Sequence, residues 1–334
     1  MNGFEENEIS KNANGGTEIL KRRLASLLPA DLLDHFQIIA SRPRELQADK
    51  IRIMFFNDLP NDPEVANFKD EEYRKQFHKL VFVSHWQYEM YRNILGVPYS
   101  DHSMVIEVGI DPIELVDKPT DVIRCVYTST PHRGLNILVP VFAKLAEQHK
   151  DIHLDVFSSF KLYGWDDPKD FDQLFDAIKT NDQMTYHGTV PHADLKEYLK
   201  KCHVFAYPCI WPETACQALM EAMSAGLVCV HSDYAALPLT AGGQTVMYNG
   251  DQDLQKHAGI FSSALSQAIE MVRNRDETFK SRMTLQKIYA DNRFHITKAK
   301  FQWEFLLRDL LAKHPDADNR KAPEKTFRYI INQG

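Results

Sequence analysis

Short runs of β-branched and aromatic residues alternate along this chain with longer segments in which apolar residues recur at helical spacing. This alternation is typical of an α/β fold, in which a parallel sheet is covered by helices on both faces. The pattern predicts helices at residues 18–28, 86–95 and 135–148, and helices only from 262 to 311. It predicts strands at residues 36–39, 51–56, 80–83, 104–106, 122–127, 152–157, 184–186, 203–207 and 227–230.

One stretch rich in proline and charge, residues 111–119, interrupts both periods and is the best candidate for a linker. The α/β pattern restarts at Val122. We therefore predict two Rossmann-like domains that face each other across a cleft, at residues 1–116 and 117–290. Residues 291–334 are predicted to form a helix that packs back toward the first domain, followed by a polar tail.

Net charge, cysteine count and hydrophobicity exclude several classes of protein. The chain has 334 residues, with 39 basic and 46 acidic side chains and a net charge of −7, which argues against a nucleic-acid partner. Its five cysteines form an odd count without C-x-x-C spacing, so neither a disulfide framework nor a zinc ribbon is expected. No secretory signal or membrane-spanning segment is expected, so we predict a cytoplasmic protein for which peripheral membrane contact stays open.

The most informative segment runs from Tyr207 to Gly226. A strand is predicted to end at Tyr207, and two prolines then mark a rigid loop. Thr214, followed three positions later by Gln217, matches a capping box, so a helix is predicted to begin there with Thr214 as its N-cap. Gly226 is expected to end this helix just before the next strand.

Two chemical features lie in this segment. The amides of Ala215, Cys216 and Gln217 would present partial positive charge at a helix N-terminus, where phosphate groups bind in open α/β sheets. Glu213 and Glu221 are eight positions apart, about 12 Å along a helix. Two carboxylates at this separation could bracket a sugar nucleotide, although either one alone is more simply a residue that favours the helix dipole or a solvated face.

In combination, these features resemble the family 4 glycosyltransferases of the GT-B fold. The hallmark of that family is two glutamates separated by seven residues, in a segment that ends Glu-Ala-Met-x-x-Gly, as residues 221–226 do here. Residues 186–190 resemble the loop that holds the nucleotide base through backbone contacts, which assigns Gly188 and Thr189 to the donor site. The resemblance covers nearly the whole chain and is strongest from Val122 to Met247.

The resemblance implies transfer of a sugar from a nucleoside diphosphate sugar, with a UDP- or GDP-sugar expected, and retention at the anomeric carbon. Glu213 would position the donor sugar, Glu221 would bind the ribose, and Thr214, Ala215 and Cys216 would contact the donor. No metal or other cofactor is expected, because basic groups and helix amides neutralise the diphosphate. The acceptor would be a saccharide, a lipid-linked molecule or a small molecule.

The segment Thr128–Gly134 takes the place of the basic phosphate-binding segment of the family. Arg133 aligns with the family's lysine and would pair with the diphosphate, stabilising charge on the leaving group. The usual second arginine is replaced by Thr128 or Tyr127, so charge neutralisation is expected to be weaker unless His132 or another cation assists.

The predicted first domain matches the family less completely. Gly16 and Thr17, which open a helix, resemble the loop that approaches the donor diphosphate from the acceptor domain, but no apolar strand precedes them, which predicts a reduced N-terminal domain. Asn57 stands near the position where many relatives place a histidine. His85 is a second acceptor-side candidate, although a lone histidine after a strand is more often structural.

Alternatives remain open at this stage. Two Asp-x-Asp segments, at 170–172 and 251–253, match a metal-binding pattern of another glycosyltransferase fold but are more simply solvated surface. A nucleotide-sugar epimerase would keep the same fold and donor site. A non-catalytic module that binds sugar nucleotides is suggested by the missing arginine and by Asn57.

Overall fold

The chain folds into two compact units. The computed structural model describes residues 16–43 and 45–315, without the side chains of residues 16–19. One unit contains the chain up to Gly109 and from Ile296 onward, and the other contains Ile110–His295. The amide of Ile110 donates to the carbonyl of Phe294 at 2.7 Å and that of Ile113 donates to Ser224 Oγ at 2.8 Å. These bonds attach the start of the predicted linker to the second unit.

The first unit is built on a sheet of four parallel strands in the order β1-β2-β3-β4. Phe36 pairs with Ile51, and Leu80 pairs with Ser103. All residues of the first two strands are buried, as expected for a parallel sheet covered on both faces. The strands are β1 (Phe36–Ala40), β2 (Ile51–Phe56), β3 (Lys79–Phe82) and β4 (Ser103–Val105). The helices are α1 (Gly16–Leu27), α2 (Ala30–Leu33), α3 (Glu71–Arg74), α4 (His85–Leu95) and α12 (Ile296–Lys313).

Aromatic side chains form the core of the first unit. Phe56 stacks on Phe82 with ring centroids 4.8 Å apart and also contacts Tyr91 of α4. From the last helix of this unit, Trp303 packs edge-on against Phe55 at 5.0 Å and is almost completely buried. The chain thus returns to the first unit through α12.

The second unit contains six parallel strands in the order β10-β9-β8-β5-β6-β7. The strands are β5 (Ile123–Thr128), β6 (Ile152–Phe157), β7 (Met184–Tyr186), β8 (Val204–Tyr207), β9 (Val228–Ser232) and β10 (Val246–Tyr248). The helices are α5 (Leu135–Gln148), α6 (Asp172–Lys179), α7 (His192–Leu199), α8 (Gln217–Ser224), α9 (Leu237–Ala241), α10 (Leu254–Asn274) and α11 (Glu277–Arg293).

The strand order of the second unit determines where a ligand can bind. The chain adds β6 and β7 on one side of β5, and then crosses back to place β8, β9 and β10 on the other side. This is the doubly wound Rossmann order, in which the loops after β5 and β8 diverge from adjacent strands and leave a crevice at their carboxyl ends. The topology therefore places the loops that carry Arg133 and Glu213 side by side.

The structure confirms the predicted α/β fold class with two Rossmann-like domains and all nine predicted strands, with boundaries shifted by about one residue, as is usual at element ends. The short strand β10, Val246–Tyr248, was not predicted. Within the described part of the chain, no helix is long and apolar enough to cross a membrane.

Candidate functional site

A glycine allows the loops after β5 and β8 to meet. Gly134 caps the N-terminus of α5 with φ +119°, a backbone conformation that residues with a side chain rarely adopt. A Cβ atom at this position would lie 2.1 Å from the carbonyl oxygen of Pro208. The β5 loop therefore approaches the β8 loop at backbone distance, and it does so one residue after Arg133.

Arg133 and Glu213 form an ion pair across these two loops. Arg133 Nη1 donates to Glu213 Oε1 at 2.6 Å, and Arg133 Nη2 donates to the Tyr163 hydroxyl at 3.1 Å. The hydroxyl of Tyr207 donates to the same Glu213 oxygen at 2.5 Å. Glu213 is 7% exposed, so the ion pair lies largely out of water, where hydrogen bonds to a charge are strong.

Glu213 is held by hydrogen bonds of its backbone in addition to those of its side chain. The amide of Glu213 donates to the carbonyl of Trp211 at 2.9 Å, and its carbonyl accepts from the amide of Ala236 at 3.1 Å. Both bonds belong to loops at the carboxyl ends of β8 and β9. The carboxylate is therefore held from the main chain and from two side-chain donors.

Electrostatics keep Arg133 charged and Tyr207 neutral. Burial by itself lowers the pKa of Arg133, but the adjacent Glu213 carboxylate raises this pKa well above the usual value. Burial, with Cys209 and Glu213 nearby, raises the pKa of Tyr207 well above its usual value. Tyr207 consequently keeps its proton and can only donate to Glu213.

His132 cannot supply the second positive charge considered from the sequence. Its ring stacks on Phe160 at 5.3 Å and meets Trp211 edge-on at 4.7 Å. Burial and the neighbouring Arg133 lower the pKa of His132 to about 4, so the ring is uncharged at neutral pH. This leaves Arg133 to provide the cationic charge at the β5 loop.

The predicted capping box at Thr214 is wrong. Helix α8 begins at Gln217, and its N-cap is Cys216, which makes no capping bond through its side chain. The first helical hydrogen bond runs from the Met220 amide to the Cys216 carbonyl at 3.1 Å. The preceding loop is held in a non-helical path by the two backbone bonds of Glu213, so Thr214 and Ala215 lie before the helix. The amides that open α8 are those of Gln217, Ala218 and Leu219.

Glu221 lies on the second turn of α8 and is only 3% exposed, unlike the solvated residue that a helical glutamate usually is. His192 Nε2, at the start of α7, lies 2.9 Å from Glu221 Oε1 and 3.1 Å from Oε2. Gln217 Nε2 donates to Oε1 at 2.9 Å. A carboxylate with this many partners is held in one orientation.

The loop after β7, which contains Gly188 and Thr189, is anchored to β6 through the preceding residue. Gly188 has φ +64°, which favours glycine. The preceding His187 stacks on Phe157 at 4.2 Å, and its Nε2 lies 2.9 Å from Oδ1 of the buried Asp155. This anchoring holds the loop backbone at the carboxyl end of β7.

The remaining predicted residues belong to the first unit. Gly16 and Thr17 begin α1, and their side chains are outside the described set. Asn57 follows β2 and donates from Nδ2 to the carbonyl of Phe55 at 3.1 Å. His85 is the first residue of α4 and is exposed. In residues 16–43 and 45–315, no group of three or more His, Cys, Asp or Glu side chains is arranged to hold a metal ion.

Sequence reasoning missed residues whose role depends on long-range contacts. Tyr207 was noted only as the end of a strand, and Gly134 only as the end of a segment. Tyr163 and His192 carried no signal toward Arg133 and Glu221, respectively, because they are 30 and 29 positions away along the chain. The sequence signal that was available for the contact between the β5 and β8 loops is Gly134, which directly follows Arg133.

Comparison with known proteins identifies a related family for part of this chain. Residues 110–242 match the family model described as glycosyl transferases group 1. No curated protein sequence matches the chain.

Solved structures share the fold. A glycosyltransferase from Rickettsia africae ESF-5 has 14% identity and a TM-score of 0.67, over 90% of this chain and 84% of the other. Anabaena Alr3699/HepE in complex with UDP and glucose has 16% identity and a TM-score of 0.59, over 87% and 76%. Sucrose-phosphate synthase from Thermosynechococcus elongatus has 16% identity and a TM-score of 0.58, over 79% and 69%. The fold is that of GT-B glycosyltransferases, and the family match supports a glycosyltransferase enzyme.

Proposed function

We propose that this protein is a retaining glycosyltransferase of family 4, which moves a sugar from a UDP- or GDP-sugar to a saccharide, lipid-linked or small-molecule acceptor. The observation that carries the proposal is the Arg133–Glu213 ion pair at the switch point of the second sheet. A cation for the diphosphate and a carboxylate for the sugar stand there within 2.6 Å of each other. The match to glycosyl transferases group 1 supports the same reaction class.

Arg133 is the group that would hold the diphosphate. Its Nε is buried and has no hydrogen-bond partner within the described part of the chain, although Nη1 and Nη2 are both used. A guanidinium N–H without an acceptor in a buried position is stabilised by an anion. The amides that open α8 would add partial positive charge beside it.

Glu213 would accept hydrogen bonds from hydroxyls of the donor sugar and stabilise the oxocarbenium-like transition state. Such stabilisation is effective where the carboxylate is held in advance and is largely removed from water. In the proposed step, the bond between the anomeric carbon and the diphosphate oxygen breaks, and the acceptor oxygen bonds to the same face of that carbon. The departing phosphate takes the acceptor's proton.

The rest of the donor would extend toward α8 and β7. Glu221 would accept from the ribose hydroxyls, and the backbone of Gly188 and Thr189 would contact the base. The fold is shared with Anabaena Alr3699/HepE in complex with UDP-glucose, which supports a nucleoside diphosphate sugar as donor. Asn57 and His85 stay the acceptor-side candidates. We propose that catalysis needs no metal, which activity measured with and without EDTA tests.

A thermal-shift screen against UDP-, GDP-, ADP- and dTDP-sugars identifies the donor, because a ligand that binds only the folded state raises the melting temperature. The proposal then predicts that Glu213→Gln lowers turnover of that donor by at least about a hundredfold, as loss of a preorganised charge does. Glu277→Gln is the matched control, since that glutamate is 87% exposed on α11 and should leave turnover unchanged.

Three results would contradict the proposal. Unchanged turnover in a folded Glu213→Gln protein would remove Glu213 from the reaction. Release of a free sugar epimer without acceptor would identify an epimerase. Binding of a nucleotide sugar without any turnover across an acceptor panel would identify a binding module.

A further inference from the structure

Glu213 is held asymmetrically. Arg133 Nη1 and the Tyr207 hydroxyl both donate to Oε1, at 2.6 and 2.5 Å. Oε2 accepts no hydrogen bond from the residues that the structure describes. One oxygen of the carboxylate is therefore committed to the protein, and the other is available to a ligand.

The two donors differ in what else they can bind. Arg133 is a charged group with a buried Nε that lacks an acceptor among residues 16–43 and 45–315, so a diphosphate would be attracted to this guanidinium and would share its charge with Glu213. Tyr207 is completely buried at the end of β8, where its hydroxyl also lies 3.4 Å from Ser129 Oγ. A neutral hydroxyl in this position has no comparable attraction to a diphosphate.

We propose that Tyr207 is a positioning residue for the transfer reaction. Its hydroxyl holds Glu213 through Oε1 while Arg133 binds the diphosphate. Oε2 is then the oxygen that accepts a hydrogen bond from a hydroxyl of the donor sugar. This inference rests on the proposed function, since it assigns to Tyr207 the orientation of the carboxylate that binds the sugar. It makes Tyr207 a determinant of sugar recognition without contact to the sugar.

The raised pKa of Tyr207 agrees with this role, because a tyrosine that keeps its proton always presents a donor to the carboxylate. The position of Tyr207 is fixed by its strand, since it pairs with His231 of β9 and its ring lies 5.8 Å from that of the buried Tyr127. A side chain with so little freedom can restrict the orientation of its partner.

The experiment compares Tyr207→Phe with Tyr248→Phe. Both variants lose one hydroxyl from a buried tyrosine, but the Tyr248 hydroxyl bonds to His257 Nε2 at 2.8 Å on edge strand β10. Each variant is assayed with the donor found in the thermal-shift screen and with donor analogues that lack single sugar hydroxyls. Affinity for the nucleoside diphosphate alone is measured by titration calorimetry.

We expect Tyr207→Phe to lower kcat/KM for the intact donor about tenfold, the usual size for one hydrogen bond to a charge. With the donor analogue that lacks the hydroxyl bound by Glu213, Tyr207→Phe should lower kcat/KM less than about threefold, because the orientation of Oε2 does not affect the binding of that analogue. Affinity for the nucleoside diphosphate should stay unchanged in both variants, and Tyr248→Phe should keep the wild-type discrimination between donors.

An equal loss for all donors would assign Tyr207 a merely structural role and overturn the proposal, as would unchanged kinetics or weakened binding of the nucleoside diphosphate. These results leave the proposed function in place. If the wild-type protein binds no nucleotide sugar at all, the proposed function fails and the role of Tyr207 fails with it.

Discussion

The chemistry of the candidate site depends on a few side chains that are buried with their partners. Arg133 and Glu213 are 21% and 9% exposed at their side chains, so each charge depends on the other for compensation. Breaking such a pair by removing one partner leaves a charge in a poorly solvated place, which is far more costly than losing a surface salt bridge. Stability and function therefore respond to the same two residues.

Arg133 and Glu213 should be energetically coupled. Arg133→Met and Glu213→Gln should each lower the free energy of unfolding by about 2–3 kcal/mol, because each leaves the other charge uncompensated. The double variant should be less destabilised than the sum of the two, by about 1 kcal/mol or more. Urea denaturation of the four proteins measures this coupling, and strict additivity would contradict the pairing.

At the scale of elements, the site exists because two loops from adjacent strands meet at backbone distance. The sequence indicated the β8 loop by its two prolines and the β5 loop by its resemblance to a phosphate-binding segment, but it did not indicate their contact. Gly134 makes the contact possible, since its positive φ turns the chain into α5 and its missing side chain leaves room for the Pro208 carbonyl.

Replacement of this glycine should therefore be more damaging than replacement of another glycine with positive φ. Gly134→Ala should lower the free energy of unfolding by about 3 kcal/mol or more, the sum of a backbone penalty and a steric clash, and should weaken donor binding by displacing Arg133. Gly243→Ala is the matched control, because Gly243 has φ +76° with no atom within 4 Å of an added Cβ.

The control should lose only the backbone term, about 1 kcal/mol. Thermal and urea unfolding of both variants provide the comparison. Equal losses of unfolding free energy in the two variants would show that Gly134 is not in close contact with the Pro208 carbonyl.

At the scale of the molecule, buried histidines link the stability of the second unit to pH. Burial lowers the pKa values of His203 and His231 to about 4, and the two residues are 3% and 0% exposed. In the unfolded chain a histidine has a pKa near 6.5. Between these values the unfolded state takes up protons that the folded state does not, so stability is full above pH 6.5 and is lost as the pH falls toward 4.

The expected slope is about 1.4 kcal/mol per pH unit for each such histidine in this window. Urea denaturation at pH 7, 6 and 5 measures the slope. His231→Gln, which retains a polar group toward Thr245, should give a flatter pH profile than the wild type. A wild-type free energy of unfolding that does not change between pH 7 and 5 would contradict the prediction.

The sequence by itself determined the fold class and nine of the strands, because buried parallel strands and helix spacing leave a local pattern. Glu213 and Glu221 became candidates through their spacing and, like Arg133, through the resemblance to family 4 glycosyltransferases. It did not determine where α8 begins. The capping signal at Thr214 was overridden by the backbone hydrogen bonds that Glu213 forms with Trp211 and Ala236. Only the tertiary structure decided which side chains meet.

The reason is physical. Strand and helix periodicity is encoded over a few residues, whereas the Arg133–Glu213 contact joins positions 80 apart and depends on strand order and on the space left by one glycine. The same holds for His192 with Glu221, and for the protonation of His132, which follows from burial that no local pattern specifies. Local chemistry selects the candidates, and packing sets their charge, orientation and partners.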